Sequence, residues 1–227
     1  VIDQLVERTG ATKRDYVIEP VELEKAPRWW QQVASLWRYS WKITATSWLL
    51  FMTILLVYYL ALTWLPSILT EAGMAQSASF FATAVMALMG LAGVVLAALL
   101  VERVGRKWLL AISAPLSGLV LVIVAQNLDV PAAAIGWVLV FGVIVQVAIP
   151  VLYAYVSELY PTELRASGFG WASTMSRFAA GFGPLIFAAL WPVVGLGRLF
   201  AGATALVLLA ILFMARFAPE TRGLQLD

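Results

Sequence analysis

From Trp41 to Phe217 the chain runs through long apolar stretches with almost no charge, each about as long as a membrane is thick. A soluble core of this length would interrupt its apolar residues with polar ones at period 2 or 3.6, and no such interruption is present. Of the 227 residues, 62% are hydrophobic and 12% charged, against about 45–50% and about 25% in ordinary soluble domains. The fold class expected is therefore all-α membrane, a single bundle of six transmembrane helices. A hydrocarbon core about 30 Å thick takes roughly 20 residues per helix. The predicted spans are 41–65, 77–101, 108–126, 132–155, 166–190 and 199–217, separated by turn signals at Pro66 and Gly73, Gly105, Pro131, Pro161, and Pro192, Gly195 and Gly197.

Basic residues near span ends orient such a bundle. Thirteen of the 15 fall on one side: Arg8, Lys13, Arg14, Lys25, Arg28, Arg38 and Lys42, then Arg103, Arg106 and Lys107, then Arg165, then Arg216 and Arg222. Arg198 lies on the other side, and Arg177 lies inside a span. Both termini are expected in the cytoplasm and the protein in a cell (inner or plasma) membrane. A net charge of +2 that is dispersed along the chain gives no basic stripe for a phosphate backbone, so a nucleic-acid partner is set aside. Without Cys or His, disulfides, thiol chemistry and the usual transition-metal sites are excluded, and no cofactor is implied.

The chain divides into residues 1–40, a cytoplasmic linker ending in an interfacial amphipathic helix, residues 41–217, the bundle, and residues 218–227, a cytoplasmic tail. The interfacial helix is expected because Trp29, Trp30, Val33, Leu36, Trp37 and Trp41 recur at three- and four-residue spacing after Pro27. Indoles at such spacing sit at headgroup level, with membrane lipid as their partner.

Three charged segments mark the cytoplasmic side. The loop Glu102-Arg103-Val104-Gly105-Arg106-Lys107 reverses two antiparallel helices around a glycine. The fourth span ends in Ser157-Glu158-Leu159-Tyr160-Pro161-Thr162-Glu163-Leu164-Arg165, with Gly168 and Gly170 beyond it. The tail reads Pro219-Glu220-Thr221-Arg222-Gly223-Leu224. In this order and at these separations, the three segments resemble the major facilitator superfamily of secondary transporters, with the six spans similar to the second half of a twelve-span member. The resemblance implies an N-terminal six-helix half as partner, and a charged network that closes the inner gate. Carried over residue by residue, the network is Glu102, Arg103, Arg106, Glu158, Arg165 and Glu220. Exposed pairs contribute only about 0–1 kcal/mol each, so a network that biases a gate must be partly buried.

Arg177 is the charge that most needs an explanation. Twelve residues past Arg165, at 1.5 Å per residue, it lies about 18 Å deeper, near the midplane. There it costs about 2.5–3.5 kcal/mol unless it faces a cavity or a partner, and the six spans supply no acid. Its counter-charge is then a group of the other half, a helix carbonyl or an anionic substrate. Gly170, Ser173, Thr174, Gly181 and Pro184 share its helix face. Gln146, mid-depth in the fourth span, is expected at a similar level.

Sugar-porter members of the superfamily carry a Gln-Gln and Asn signature in the helix that corresponds to the first span, where this chain has Tyr58-Tyr59 followed by Trp64-Leu65-Pro66. That pattern, with the arginine at 177, is similar to aromatic-acid or metabolite:proton symporters. The resemblance implies transport of a small organic anion, a carboxylate with room for an aromatic ring, by alternating access with proton coupling, and no enzymatic activity. The substrate-binding residues expected are Arg177, Gln146, Tyr58, Tyr59, Ser173 and Thr174. A porter of sugars or other neutral metabolites, and a transceptor or structural subunit with no transport, remain as alternatives. A membrane enzyme would need a nucleophile, metal or acid–base pair within the spans, and none is present.

Overall fold

The computed structural model describes residues 28–223, and every regular element among them is a helix. In chain order these are α1 Trp29–Glu71, α2 Gln76–Val104, α3 Arg106–Gln126, α4 Pro131–Glu158, α5 Thr162–Val194 and α6 Leu196–Phe217. All six are long and apolar enough to cross a membrane. Helices are the fitting solution, because lipid offers no hydrogen bond to an unpaired N–H or carbonyl. The proposed linker up to residue 26 and the end of the tail, from Leu224, lie outside the described residues.

Two helices run further than the turn signals predict. The first helix starts at Trp29 but breaks at Ser40, whose backbone is extended and whose hydroxyl accepts the Ile43 N–H at 3.3 Å. Ser40 thus caps the membrane-length part as an N-cap residue does. At the other end α1 passes through Pro66 to Glu71, and the Thr70 hydroxyl donates back to the Pro66 carbonyl at 2.8 Å. Likewise α5 continues across Pro184 and Pro192 and stops at Gly195, where φ is +85°. Prolines punctuate soluble helices more sharply than these, because within a bundle neighbouring groups and the bilayer still favour the helix.

Packing follows small residues rather than hydrophobic contrast, since lipid is as apolar as the helices themselves. The closest crossing is that of α2 on α4. Gly90 and Gly93 lie directly against Val143 and Gln146, and Gly142 lies against the Met86 backbone. A Cβ placed on Gly90 would stand 2.7 Å from Gln146 Cγ. The helices α1 and α5 form a second close pair, while α3 packs on α4 and α6. Phe51, Phe141, Tyr155, Tyr160 and Phe200 fill the interior, and Leu88, Leu91, Leu99, Leu209 and Leu212 point outward. Short connections keep neighbours in sequence antiparallel, so the α2–α3, α4–α5 and post-α6 segments meet at one end.

Candidate functional site

At that end the charged segments form a clamp. Gly105 turns the chain at φ +96°, and the first turn of α3 then presents its N–H groups to Glu220. One Glu220 oxygen accepts the Arg106 N–H at 3.0 Å, and the carboxylate accepts the Lys107 N–H at 3.2 Å. Backbone N–H groups of Thr221 and Arg222 bond to the same carboxylate, at 3.0 and 3.2 Å. Lys107 answers by donating to the carbonyls of Ala215 and Ala218 at 3.1 and 2.6 Å, at the C-terminal end of α6. An anion at one helix start and a cation at another helix end both complement the macrodipoles. The Tyr155 hydroxyl donates to the Pro219 carbonyl at 2.7 Å and pins the tail from below.

Arg106 is the hub of the ion pairs. Its Nη2 meets Glu102 at 2.6 Å and its Nε meets Glu158 at 3.2 Å, with Arg106 and Glu158 only 14% and 16% exposed and Glu102 68% exposed. The hydrogen bond from Arg106 holds the Glu102 carboxyl below its usual pKa. Arg106 Nη1 and Glu158 Oε2 are buried and lack hydrogen-bond partners among the described residues. The other expected members are placed differently. Arg165 donates Nε to the Ser157 carbonyl at 3.1 Å, Arg103 is exposed, and neither is in an ion pair among the described residues. Glu220 binds backbone N–H groups rather than a guanidinium. The sequence motifs had therefore grouped by chemistry what the fold divides into an ion-pair hub and a helix-end clamp.

Halfway along the bundle, α1, α4 and α5 bring a second set together. Arg177, exposed in the middle of α5, donates Nη1 to the Tyr59 hydroxyl at 3.3 Å. Tyr58 lies beside Tyr59, with ring centroids 5.6 Å apart. Tyr153 of α4 stands within electrostatic reach of Arg177, Tyr58 and Tyr59. Its ring stacks on Phe51 at 5.4 Å and 5° and meets Phe169 edge-on at 5.5 Å. A guanidinium with unused donors thus sits beside phenols, in surroundings where the described residues offer it no carboxylate. Such a group can take a carboxylate on its fork, and the rings can stack on an aromatic ligand.

The remaining expected residues diverge. Gln146 is half-buried in the α2–α4 crossing against Gly90 and Gly93. Thr174 donates to the Gly170 carbonyl at 3.0 Å and opens on a recess of about 390 Å³ shared with Gln32 and Trp171. The Ser173 carbonyl accepts the Ser176 hydroxyl at 2.6 Å. Tyr153, Phe51 and Phe169 escaped the sequence reading. One signal for Tyr153 was available, because it follows Gln146 by two helical turns and so shares its face.

Comparison with known proteins agrees with this architecture. The chain matches the family described as "Sugar (and other) transporter" over residues 7–227. It is 32% identical over 211 residues to the gallate transporter of Pseudomonas putida, covering 89% of this chain and 46% of that protein. It is 29% identical over 204 residues to the putative niacin/nicotinamide transporter NiaP of Bacillus subtilis, covering 87% and 50%. A third relative, the 4-hydroxybenzoate transporter PcaK of Acinetobacter baylyi, is 30% identical over 152 residues, covering 66% and 33%. The chain spans about half the length of the first two relatives. In fold it resembles the crystal structure of a double-tryptophan variant of XylE, at TM-score 0.59 and 19% identity over 85% of this chain and 48% of that one. Six membrane-length helices, three charged segments in order and these likenesses together make the chain a member of the sugar (and other) transporter family within the major facilitator superfamily.

Proposed function

We propose that this bundle is the second half of a twelve-helix transporter that carries a small organic anion, an aromatic carboxylate, by alternating access. The observation that carries the reading is Arg177, a mid-span cation with free donors beside Tyr58, Tyr59 and Tyr153 and no acid near it. Relatives named for gallate, niacin and 4-hydroxybenzoate support an aromatic acid as substrate. One bundle supplies one wall of a midplane cavity, and an N-terminal half supplies the other. Proton coupling, if the full transporter has it, belongs to an acid of that half, since the described spans contain none at this depth.

The charged end is the inner gate in this reading, and the buried Arg106 Nη1 and Glu158 Oε2, which make no hydrogen bond among the described residues, are the atoms available to a partner from the other half. That end faces the cytoplasm of a cell membrane, with both termini on the same side and the Trp29–Tyr39 helix at the headgroups. Uptake of labelled 4-hydroxybenzoate, gallate and nicotinate into proteoliposomes holding the full-length transporter tests the proposal. Saturable uptake of at least one, competed by the others and lost in Arg177→Ala, is expected. Uptake of a neutral sugar with none of the acids refutes it. Residues 1 to 227 alone should transport nothing, and co-expression with the N-terminal half should restore flux.

A further inference from the structure

A further cavity lies away from Arg177. It is a groove of about 710 Å³ between α5 and α6, floored by α1, with Leu56, Phe182, Ile186 and Leu206 among its walls. Two polar residues line it. Thr53 is satisfied internally, its hydroxyl donating to the Leu49 carbonyl at 2.8 Å. Arg198, exposed at the end opposite the charged clamp, has no hydrogen-bond or ion-pair partner among the described residues.

Position and length narrow the occupant. Phe182 follows Arg177 by five residues, about 140° around α5, so the groove opens on a different flank from the Arg177 face. Along α5 it extends from Phe178 to Val194, about 24 Å, and along α6 from Arg198 to Leu206, about 12 Å. One leaflet of hydrocarbon is about 15 Å deep. The groove therefore accepts a chain that enters at the membrane border and reaches the midplane. At its mouth Arg198 lies in the first turn of α6, where Gly195 leads in without a side-chain cap and the leading N–H groups are unfilled. A cation beside open N–H groups selects an anion, and a phosphate satisfies both.

We propose that this groove is a phospholipid site: the phosphodiester binds Arg198 and the start of α6, and one acyl chain lies between α5 and α6 against Phe182, Ile186 and Leu206. An extended peptide from another protein would bring unsatisfied backbone groups to midplane depth, whereas an acyl chain brings none. Gly202 keeps the channel open, since a Cβ there would meet nothing within 4 Å.

Native mass spectrometry of the full-length transporter, delipidated in detergent and titrated with phosphatidylglycerol, tests this. Arg198→Gln removes the anion contact, Gly202→Leu fills the channel, and Leu99→Ala alters an outward-facing site on α2 as a control. Expected are one tightly held phospholipid in the parent and in the control, and at least tenfold weaker retention in each of the other two variants. Soluble glycerol phosphate should not displace the lipid at comparable concentration. Melting curves and aromatic-acid uptake separate this test from the transport proposal, because both variants should keep fold and substrate affinity. Equal retention in parent and Arg198→Gln, or in parent and Gly202→Leu, overturns the site. So does displacement by glycerol phosphate alone, which would reduce it to a surface anion contact, or protection of the groove by the N-terminal half.

Discussion

The charged end and the Arg177 site contain similar chemistry, cations near polar or anionic groups, and differ in how completely the protein satisfies them. At the charged end, Glu220 serves four backbone N–H groups and Lys107 serves two carbonyls, while Arg106 serves two acids. At mid-span, Arg177 makes a single 3.3 Å bond to a phenol. A cation engaged on several sides by its own chain holds structure. One left with open donors in an apolar setting is held ready for something else, because leaving it so is costly.

The sharpest way to break this comparison is at the open site. Arg177→Ala in the full-length transporter should abolish measurable uptake, with at least about a thirtyfold loss of apparent affinity, the order expected when one member of a desolvated charge pair is truncated. Lysine should rescue only in part, lacking the planar fork. An unchanged melting temperature alongside lost uptake assigns the residue to binding, and retained uptake would make Arg177 structural.

A smaller effect is expected at the hub. Glu158→Gln leaves the largely buried Arg106 without its buried partner, so the outward-open state weakens, and an Ala154→Cys reporter in the recess that Ala154 and Arg165 both line should label several-fold faster from the cytoplasmic side. Identical labelling rates would limit the hub to setting topology. At the α2–α4 crossing, Gly93→Val drives a side chain into the Val143 backbone and should cost about 1–3 kcal/mol, as overpacking does, read as a lowered melting temperature. A wild-type melting curve would contradict the close crossing.

The clamp should respond more mildly. Glu220→Gln keeps an acceptor but loses the charge at the start of α3, worth about 0.3–1 kcal/mol, so melting should fall by a few degrees while the KM of uptake stays fixed. A shifted KM would tie the clamp to the binding site. Least of all, Glu102→Gln should lower melting only slightly at neutral pH, since exposed pairs contribute little. Arg106 depresses the Glu102 pKa from its ordinary 4.5, so the pair's contribution is present above that value and fades as pH falls through the depressed one. Melting compared at pH 7 and pH 3 should show parent and variant converging in acid.

The bundle was legible in the sequence because membrane insertion depends on local composition. A stretch of apolar residues long enough to cross lipid must be a helix whatever its neighbours, so six runs gave six helices. The exposed positive charges at one end and Arg177 inside a span were legible for the same reason, as each is a property of one segment. What needed the tertiary structure is every relation between segments. Nothing in the local sequence shows that Gln146 is pressed against Gly90 and Gly93, that Tyr153 stands near Arg177, or that Glu220 caps α3. Prolines 66 and 192 misled as helix ends because their cost depends on which neighbours re-satisfy the backbone. In lipid, where apolar faces do not distinguish one partner from another, helix pairing is settled by close steric fit and by a few polar contacts, and those exist only once the helices have met.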